Sequence, residues 1–195
     1  RAAGFDGRRF INAGRSPDFG DNARLRRRQG LEQDGAGIHD EEFSFAVWVY
    51  PTARDGVILS RADGGDQGEV GWGLYLEDGK VRLNLSSRVL DDGVAAESVA
   101  DVALGQWQHV VATYDGSKTP SGIRMYFDGR LQELTPLNDT AGNRLTVSRF
   151  PLRIGASGSD KPRFEGRIDD VRIYDSVLSR SKAAVVATAE SLSEI

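Results

Sequence analysis

Several side chains able to bind a polar ligand occupy alternate positions of a predicted β-hairpin and so lie on one of its faces. The hairpin turns at Asp78-Gly79, because apolar residues alternate on both sides of this dipeptide, which readily adopts positive φ. Its polar parity carries an aromatic ring, two guanidinium groups and an amide, from Tyr75, Arg82, Asn84 and Arg88. Such a ring can stack on the C–H face of a sugar while its neighbours bond the sugar hydroxyls. An ordinary solvent-facing sheet has the same pattern, so both interpretations stand.

A second tyrosine, Tyr126, belongs to this surface if its strand lies beside the hairpin. It falls in the strand-like run 123–127, which stops at Asp128-Gly129. The tryptophans lie within apolar patterns or strand signatures, and we assign them mainly to the core: Trp48, Trp72 and Trp107.

The adjacent carboxylates Asp169 and Asp170 cannot act together, because a strand sends neighbouring side chains to opposite faces. Asp169 shares parity with Val171 and Ile173, which predicts that it points towards the interior. A buried carboxylate needs a cation or several hydrogen-bond donors to remain charged.

The other candidate metal ligands are weaker. Asp63, Asp66 and Glu69 lie in a glycine-rich loop, but their spacing is not that of an EF-hand, which favours a solvent-exposed turn over an oxygen-ligand site. His109 lies in a strand and is interpreted as a structural histidine. With only His39 as a companion, it cannot form a histidine-rich metal centre.

Composition excludes several classes of function. Lys and Arg number 25 against 29 Asp and Glu, so the net charge of -4 gives no field that would attract nucleic acid or anionic lipid. The chain has 0 cysteines, which excludes disulfides, thiolate zinc sites and cysteine nucleophiles. No apolar run approaches the roughly 18 residues of a membrane span. We expect one domain over residues 1–195, excised from a larger protein.

The remaining pattern predicts an all-β fold, an antiparallel β-sandwich with one short C-terminal helix. Strand-like runs punctuated by Asp-Gly or proline recur along the chain. The Ala-rich segment from Ser181 to Glu190 suits a helix, with Ser179 or Ser181 as N-cap. Residues 12–42 are predicted to form an irregular charged loop.

The ordered set of segments resembles the LamG-like jelly rolls of the concanavalin A-like lectin/glucanase superfamily. The segments are Phe5-Asp-Gly7, Phe43-Ser-Phe-Ala-Val-Trp-Val-Tyr-Pro51, the Asp78-Gly79 hairpin, Gly105-Gln-Trp-Gln-His-Val-Val-Ala-Thr-Tyr-Asp-Gly116, Met125-Tyr-Phe-Asp-Gly129, Leu152-Arg-Ile-Gly155 and Gly166-Arg-Ile-Asp-Asp-Val-Arg-Ile-Tyr174. Two segments, Phe10-Ile-Asn-Ala-Gly14 and Phe45-Ala-Val-Trp-Val-Tyr-Pro-Thr52, most resemble copies in large exported planctomycete-type proteins with cytochrome-like domains. The stretch from Arg24 to Asp40 is longer and more charged than usual for the family.

The resemblance raises two questions about chemistry, namely whether the chain has the catalytic carboxylates of a hydrolase and whether it holds a structural calcium ion. Hydrolases of this fold use carboxylates spaced Glu-x-Asp-x-x-Glu on one strand, and that spacing is missing here, so we expect no enzyme. Many relatives hold a structural calcium between the first and last strands. The resemblance therefore suggests that Asp169, with Asp6 or a nearby backbone carbonyl, ligates Ca²⁺. The alternative is an aspartate that accepts backbone N–H bonds and binds no metal.

Taken together, the sequence predicts a non-catalytic, lectin-like module that binds a polysaccharide. The alternative is a structural or protein-interaction domain that positions neighbouring domains of a larger exported protein. In both cases the resemblance implies a place outside the cytoplasm, in the periplasm, on the cell surface or secreted.

Overall fold

The described part of the chain contains strands in two antiparallel sheets. A computed structural model describes residues 2–14, 42–65, 68–88, 92–140 and 150–188. The strands are β1 (Ala3–Asp6), β2 (Ile11–Gly14), β3 (Phe43–Pro51), β4 (Gly56–Gly65), β5 (Gly68–Glu77), β6 (Lys80–Arg88), β7 (Asp92–Asp101), β8 (Gln108–Tyr114), β9 (Ile123–Phe127), β10 (Arg130–Leu131), β11 (Leu134–Asp139), β12 (Leu152–Ile154) and β13 (Glu165–Tyr174).

The two sheets pack face to face. The front sheet has the strand order β11-β7-β6-β5-β4-β12-β2, and the back sheet has the order β1-β13-β3-β8-β9-β10. Strands next to each other in either sheet pair antiparallel. The predicted β-sandwich of concanavalin A-like type is therefore confirmed.

Alternation along the strands builds the core between the sheets. Phe43, Phe45, Val47 and Val49 of β3 all belong to one buried apolar cluster. Trp72 of the front sheet stacks on Phe45 of the back sheet, with ring centroids 4.7 Å apart. Each such side chain contributes about 1.5–3 kcal/mol when fully buried, so this contact ties the two layers together. The assignment of Trp72 to the core is confirmed, since it is 6% exposed.

The Asp-Gly dipeptides close hairpins as predicted. Asp78 and Gly79 have φ of 49° and 81°, and Asp128 and Gly129 have φ of 49° and 74°. Positive φ at both central residues is the geometry that matches the right-handed twist of paired strands. These turns fix the register of β5 with β6 and of β9 with β10.

One helix, α1 (Arg180–Thr188), follows the last strand. It starts one residue before the predicted position, and the Oγ of Ser179 accepts the backbone N–H of Lys182 at 3.3 Å, which confirms Ser179 as N-cap. Glu190, the predicted end of the helix, lies outside the described residues. Among the residues with a described structure, no helix is long and apolar enough to cross a membrane.

The helix covers part of the outer face of the back sheet. A second apolar cluster forms there from Ala46, Val111, Tyr126, Leu178 and Ala183. This layer buries one end of the back sheet outside the sandwich core.

The predicted irregular loop over residues 12–42 is described only at its two ends. Ile11–Gly14 is strand β2, paired with β12 at the edge of the front sheet, so the first part of this prediction is wrong. Residues 15–41, including the basic cluster from Arg24 to Arg28, lie outside the described residues.

Candidate functional site

A cleft of about 490 Å³ opens on the outer face of the front sheet. Strands β4, β5, β6 and β7 contribute its floor, and Lys161 and Pro162 from the connection between β12 and β13 form one wall. That connection is held to the sheet by the backbone N–H of Val57, which donates to the carbonyl of Pro162 at 3.0 Å. The cleft therefore joins residues that are far apart in the sequence.

Charged side chains of alternating sign run across the cleft. Arg82 lies between two carboxylates: its Nη2 is 3.1 Å from Oε2 of Glu97, and its Nη1 pairs with Glu77. The Nζ of Lys80 is 3.7 Å from Oε1 of Glu97, and the Nζ of Lys161 is 2.5 Å from Oε1 of Glu77. We call these five residues the charge ladder. It presents fixed donors and acceptors to whatever enters the cleft.

The sheet register explains the ladder. Arg82 pairs with Tyr75 on one side and with Glu97 on the other, while Glu77 pairs with Lys80 across the turn. Directly paired residues of opposite charge lie close enough to interact on one face of the sheet. The ladder side chains are partly exposed, with 30% of Arg82 and 14% of Glu97 accessible.

Tyr75 forms part of the cleft wall and is itself buried. Its ring lies over Gly73, where an added Cβ would come within 2.0 Å of the tyrosine Oη, and the Nζ of Lys161 lies 4.7 Å from the ring centroid. Only 1% of Tyr75 is exposed, so the predicted open stacking face of this residue is wrong. Burial, followed by the nearby charge of Glu69, raises the pKa of the Tyr75 phenol well above its ordinary value.

The other predicted ligand-binding residues do not meet at one point. Asn84 is half-buried on the front sheet, where it pairs with Gly73 and Ala95, but it does not line the cleft. Tyr126 is 3% exposed in β9 of the back sheet, under the cover of helix α1, so its predicted place beside the hairpin is wrong. The side chain of Arg88 lies outside the described structure.

The two predicted calcium ligands occupy different places. Asp6 pairs with Glu165 at one end of the β1–β13 ladder, and Ala3 pairs with Ile168 at the other end. Asp169 follows Ile168, so it lies beyond the end of β1 that is far from Asp6. The Oδ1 of Asp6 accepts the backbone N–H groups of Arg8 and Arg9 at 3.0 Å, and these bonds lower the pKa of its carboxyl.

Asp169 does not face the interior as predicted. It pairs with Trp48 of β3, whose side chain is on the outer face, because a bulge between Asp169 and Arg172 shifts the parity before Val171 and Ile173. The geometry does not support one ion shared by Asp6 and Asp169. Calcium binding by Asp169 with a backbone carbonyl stays a prediction.

The predicted glycine-rich loop is wrong for its described acidic residues, since Asp63 belongs to β4 and Glu69, which is 8% exposed, belongs to β5. Asp63 lies 3.8 Å from the Nη2 of Arg153, and Glu69 accepts a hydrogen bond from Ser159 at 2.5 Å. Asp66 lies outside the described residues. Within the described ranges, no group of three or more histidine and acidic side chains could hold a metal ion.

Sequence reasoning missed four members of the ladder as site residues: Glu77, Lys80, Glu97 and Lys161. Glu77 and Lys80 directly flank the Asp78-Gly79 turn, so the hairpin pattern alone predicts that they pair. Lys161 gave no such signal, because only the packing of its segment onto β4 and β5 brings it to the cleft.

The outer face of the back sheet holds exposed aromatic side chains that the sequence pattern assigned to the core. Trp107 is 39% exposed, so its assignment to the core is wrong. Trp48 is half-buried on the same face, 5.1 Å from His109 between ring centroids.

His109 is fully buried, as the structural interpretation predicts, but it is not satisfied by hydrogen bonds. Neither ring nitrogen has a partner among the described residues. Burial lowers the pKa of His109 to about 4, against a smaller opposing effect of Asp128 and Asp170.

The fold and the matched residues identify the class of protein. Residues 28–184 match the Laminin_G_3 family of the concanavalin A-like lectin/glucanases superfamily. Since this match covers most of the chain, the chain belongs to that family.

The chain is similar to one module-sized part of a very large receptor. It is 26% identical over 155 residues to the adhesion G-protein coupled receptor V1 of Danio rerio, a match that covers 72% of this chain and 2% of the receptor. The chain therefore spans a small fraction of the length of this relative.

Two solved structures share the fold. The IT-sialidase CBM40 of Ruminococcus gnavus, bound to α2,3 sialyllactose, is 17% identical with a TM-score of 0.59, covering 92% of this chain and 97% of that chain. Domain 4 of AbnA, a GH43 extracellular arabinanase from Geobacillus stearothermophilus, in complex with arabinotriose, is 20% identical with a TM-score of 0.59, covering 96% and 76%. At these identities the likeness concerns the fold.

Proposed function

We propose that this chain is a non-catalytic carbohydrate-binding module that recognises a polysaccharide through the cleft of the front sheet. The observation that carries the proposal is the charge ladder. Its donors and acceptors are held in place by one another before a ligand arrives, which reduces the entropy lost on binding. Sugar hydroxyls are both donors and acceptors, so a row of alternating cations and carboxylates suits them.

The two solved structures with bound saccharides support this proposal at the level of the class. One is a carbohydrate-binding module with sialyllactose, and the other is an arabinanase domain with arabinotriose. Both place sugar recognition on a sandwich of the kind found here.

The acidic groups of the cleft support a binding role over a catalytic one. Glu77 and Glu97 each pair with Arg82 and with a lysine. Glycoside hydrolysis needs one carboxyl group that donates a proton and a second that acts as base or nucleophile. Neither carboxylate is free for such a role while the ladder is intact.

A second candidate is a structural or protein-interaction domain that positions neighbouring domains. The match to 2% of a zebrafish receptor supports it, since the segment similar to this chain is a small part of a long protein. On either proposal we place the module in a larger protein outside the cytoplasm, and the resemblance to exported planctomycete-type proteins belongs to this proposal.

Affinity gel electrophoresis against a panel of plant and bacterial polysaccharides tests the primary proposal. We expect retarded migration in at least one gel, and a clear reduction of that retardation in Arg82→Ala. Arg130→Ala is the matched control, because Arg130 is exposed on the back sheet. Unchanged migration of the wild-type chain in every gel would contradict carbohydrate binding and favour the interaction domain.

A further inference from the structure

Aromatic side chains form a row on the outer face of the back sheet, opposite to the cleft. Trp48 and Tyr50 project from β3, and Trp107 lies directly before β8. The rings of Tyr50 and Trp107 meet edge to face, with centroids 5.6 Å apart and planes at 62°. We call these three residues the aromatic platform.

The platform lies outside the cover of helix α1. The helix packs on the cluster that includes Ala46 and Val111, which come before Trp48 on β3 and after Trp107 on β8. Trp48 and Tyr50 are half-buried and Trp107 is 39% exposed, so their ring surface is in part open to solvent.

Polar groups of both signs flank the rings. Arg167 pairs with Tyr50 in the sheet register, and its guanidinium carbon lies 5.6 Å from the centre of the tyrosine ring. Asp169 pairs with Trp48 and is half-buried. A guanidinium donor and a carboxylate acceptor therefore border the aromatic surface on the same strand.

A bulge in β13 begins directly after Asp169. Asp170 has a φ of 48°, a conformation that is uncommon for a residue with a side chain. Arg172 holds it there with two hydrogen bonds to the Asp170 carboxylate, of 2.8 and 2.6 Å. Bulges re-aim side chains and are frequent next to functional sites. This one lets Asp169 lie on the outer face beside Trp48 while Ile173 of the same strand faces the core.

The size of the platform indicates what it can hold. Full burial of a large aromatic side chain covers about 150–250 Å², so 39% of Trp107 leaves roughly 100 Å² for a ligand. A stable protein partner needs about 800 Å² on each side. A sugar ring stacked on Trp107 needs no more than the platform offers, and the opposite charges of Arg167 and Asp169 give it no preference for a charged sugar.

We propose that the aromatic platform is a second saccharide-binding surface, which stacks a neutral pyranose of a polysaccharide on Trp107 and bonds its hydroxyls through Arg167 and Asp169. Because it faces away from the cleft, it binds independently of the charge ladder. One copy of the chain can then hold two polysaccharide strands, or two segments of one strand, with the gain in avidity that two sites give.

The test uses affinity gels containing neutral polysaccharides, namely xylan, arabinan, galactomannan and hydroxyethylcellulose. We expect Trp107→Ala to weaken binding about tenfold in at least one gel, equivalent to ~1.4 kcal/mol. Trp107→Phe keeps a stacking ring and should retain most of the affinity. Leu131→Ala is the matched control, since Leu131 is a 50% exposed apolar residue of the same sheet. Melting temperatures show that each variant is folded.

The outcomes separate this surface from the cleft. Weakened binding in Trp107→Ala, together with residual binding in Arg82→Ala, supports the platform. Equal affinity of Trp107→Ala and wild type for all four polysaccharides overturns it, and if Arg82→Ala then abolishes binding, the cleft alone carries the function. Loss in Trp107→Ala with no change in Arg82→Ala leaves the platform as the binding site and overturns the cleft. Equal loss in Leu131→Ala, or failure of the wild type to bind any of the four, also overturns the platform.

Discussion

The Nη2 of Arg82 lies 3.1 Å from Oε2 of Glu97 on the neighbouring strand, and the same guanidinium pairs with Glu77. One cation therefore separates two carboxylates on a single face of the front sheet. This arrangement sets the charge pattern of the cleft, because Lys80 and Lys161 neutralise the outer sides of the same two carboxylates. Removing any member leaves like or unpaired charges next to each other.

Replacing Arg82 with alanine should destabilise the fold by roughly 1–2 kcal/mol, between the values for exposed and buried ion pairs. The physical reason is that Glu77 and Glu97 then repel each other without a bridging cation. Urea unfolding measures this. Adding Glu97→Gln to the variant should restore part of the loss, and a double mutant no more stable than Arg82→Ala would argue against coupling across the strands.

Replacing Gly73 with alanine should destabilise the protein by about 1–3 kcal/mol through overpacking. The new Cβ would lie 2.0 Å from the Oη of Tyr75, whose buried ring has little room to move. Gly4→Ala is the control, because a Cβ added there meets nothing within 4 Å. Thermal unfolding compares the two, and similar melting temperatures would mean that Tyr75 does not lie over Gly73.

Protonation of His109 should destabilise the folded state at acidic pH. Its pKa in the fold is about 4, below the ordinary 6.5, so the unfolded chain binds the proton more tightly. The stability due to neutral His109 is complete above pH 6.5 and is lost as the pH falls towards 4. The lowered pKa corresponds to at most roughly 3 kcal/mol.

Unfolding free energies measured between pH 7 and pH 4 check this, with His109→Gln as the variant that no longer titrates. We expect the variant to show a shallower slope over this range. Proton NMR gives the pKa directly, and His39→Gln assigns the signals, since the chain has 2 histidines. An NMR pKa near 6.5 for His109 would contradict the prediction.

Replacing Ser44 with alanine should cost about 1–3 kcal/mol, the penalty for leaving buried polar groups unpaired. The buried Ser44 hydroxyl donates to the carbonyl of Ser176 at 2.7 Å and accepts the N–H of Leu178 at 2.9 Å. It thereby fixes the chain before helix α1 to β3. Ser121→Ala, at an exposed position, should have little effect, and equal melting temperatures for the two variants would contradict this role.

Calcium binding at Asp169 has a thermal test. On this prediction, adding Ca²⁺ to EDTA-treated protein raises the melting temperature of the wild type and leaves that of Asp169→Asn unchanged. A wild-type melting temperature that is identical in EDTA and in Ca²⁺ would contradict the prediction.

Local sequence predicted most of the strands, because each predicted strand obeys a rule that acts over a few residues, but it did not predict β7 or β11. Asp78-Gly79 fixes a hairpin through its own backbone preference, and the alternation of Trp72, Leu74 and Leu76 defines a buried face. The helix was equally local, since Ser179 supplies its own cap.

The errors arose where one residue breaks the local rule. Asp169 was assigned to the interior by counting alternate positions towards Ile173, and the bulge at Asp170 removes the basis of that count. Tyr75 was assigned to solvent by the same count. It does lie on the outer face, but Lys161 from a distant segment and the empty space above Gly73 allow it to be buried there.

The sequence by itself determined the two layers of strands and their turns, since backbone preference and side-chain alternation are local properties. Tertiary structure alone decided which outward-facing side chains stay accessible to solvent and which form ion pairs with distant residues. It brought Lys161 to Glu77 and left Trp107 uncovered beside Tyr50, because helix α1 packs elsewhere on the sheet. Such contacts join segments far apart in the chain, and no local pattern encodes their distance.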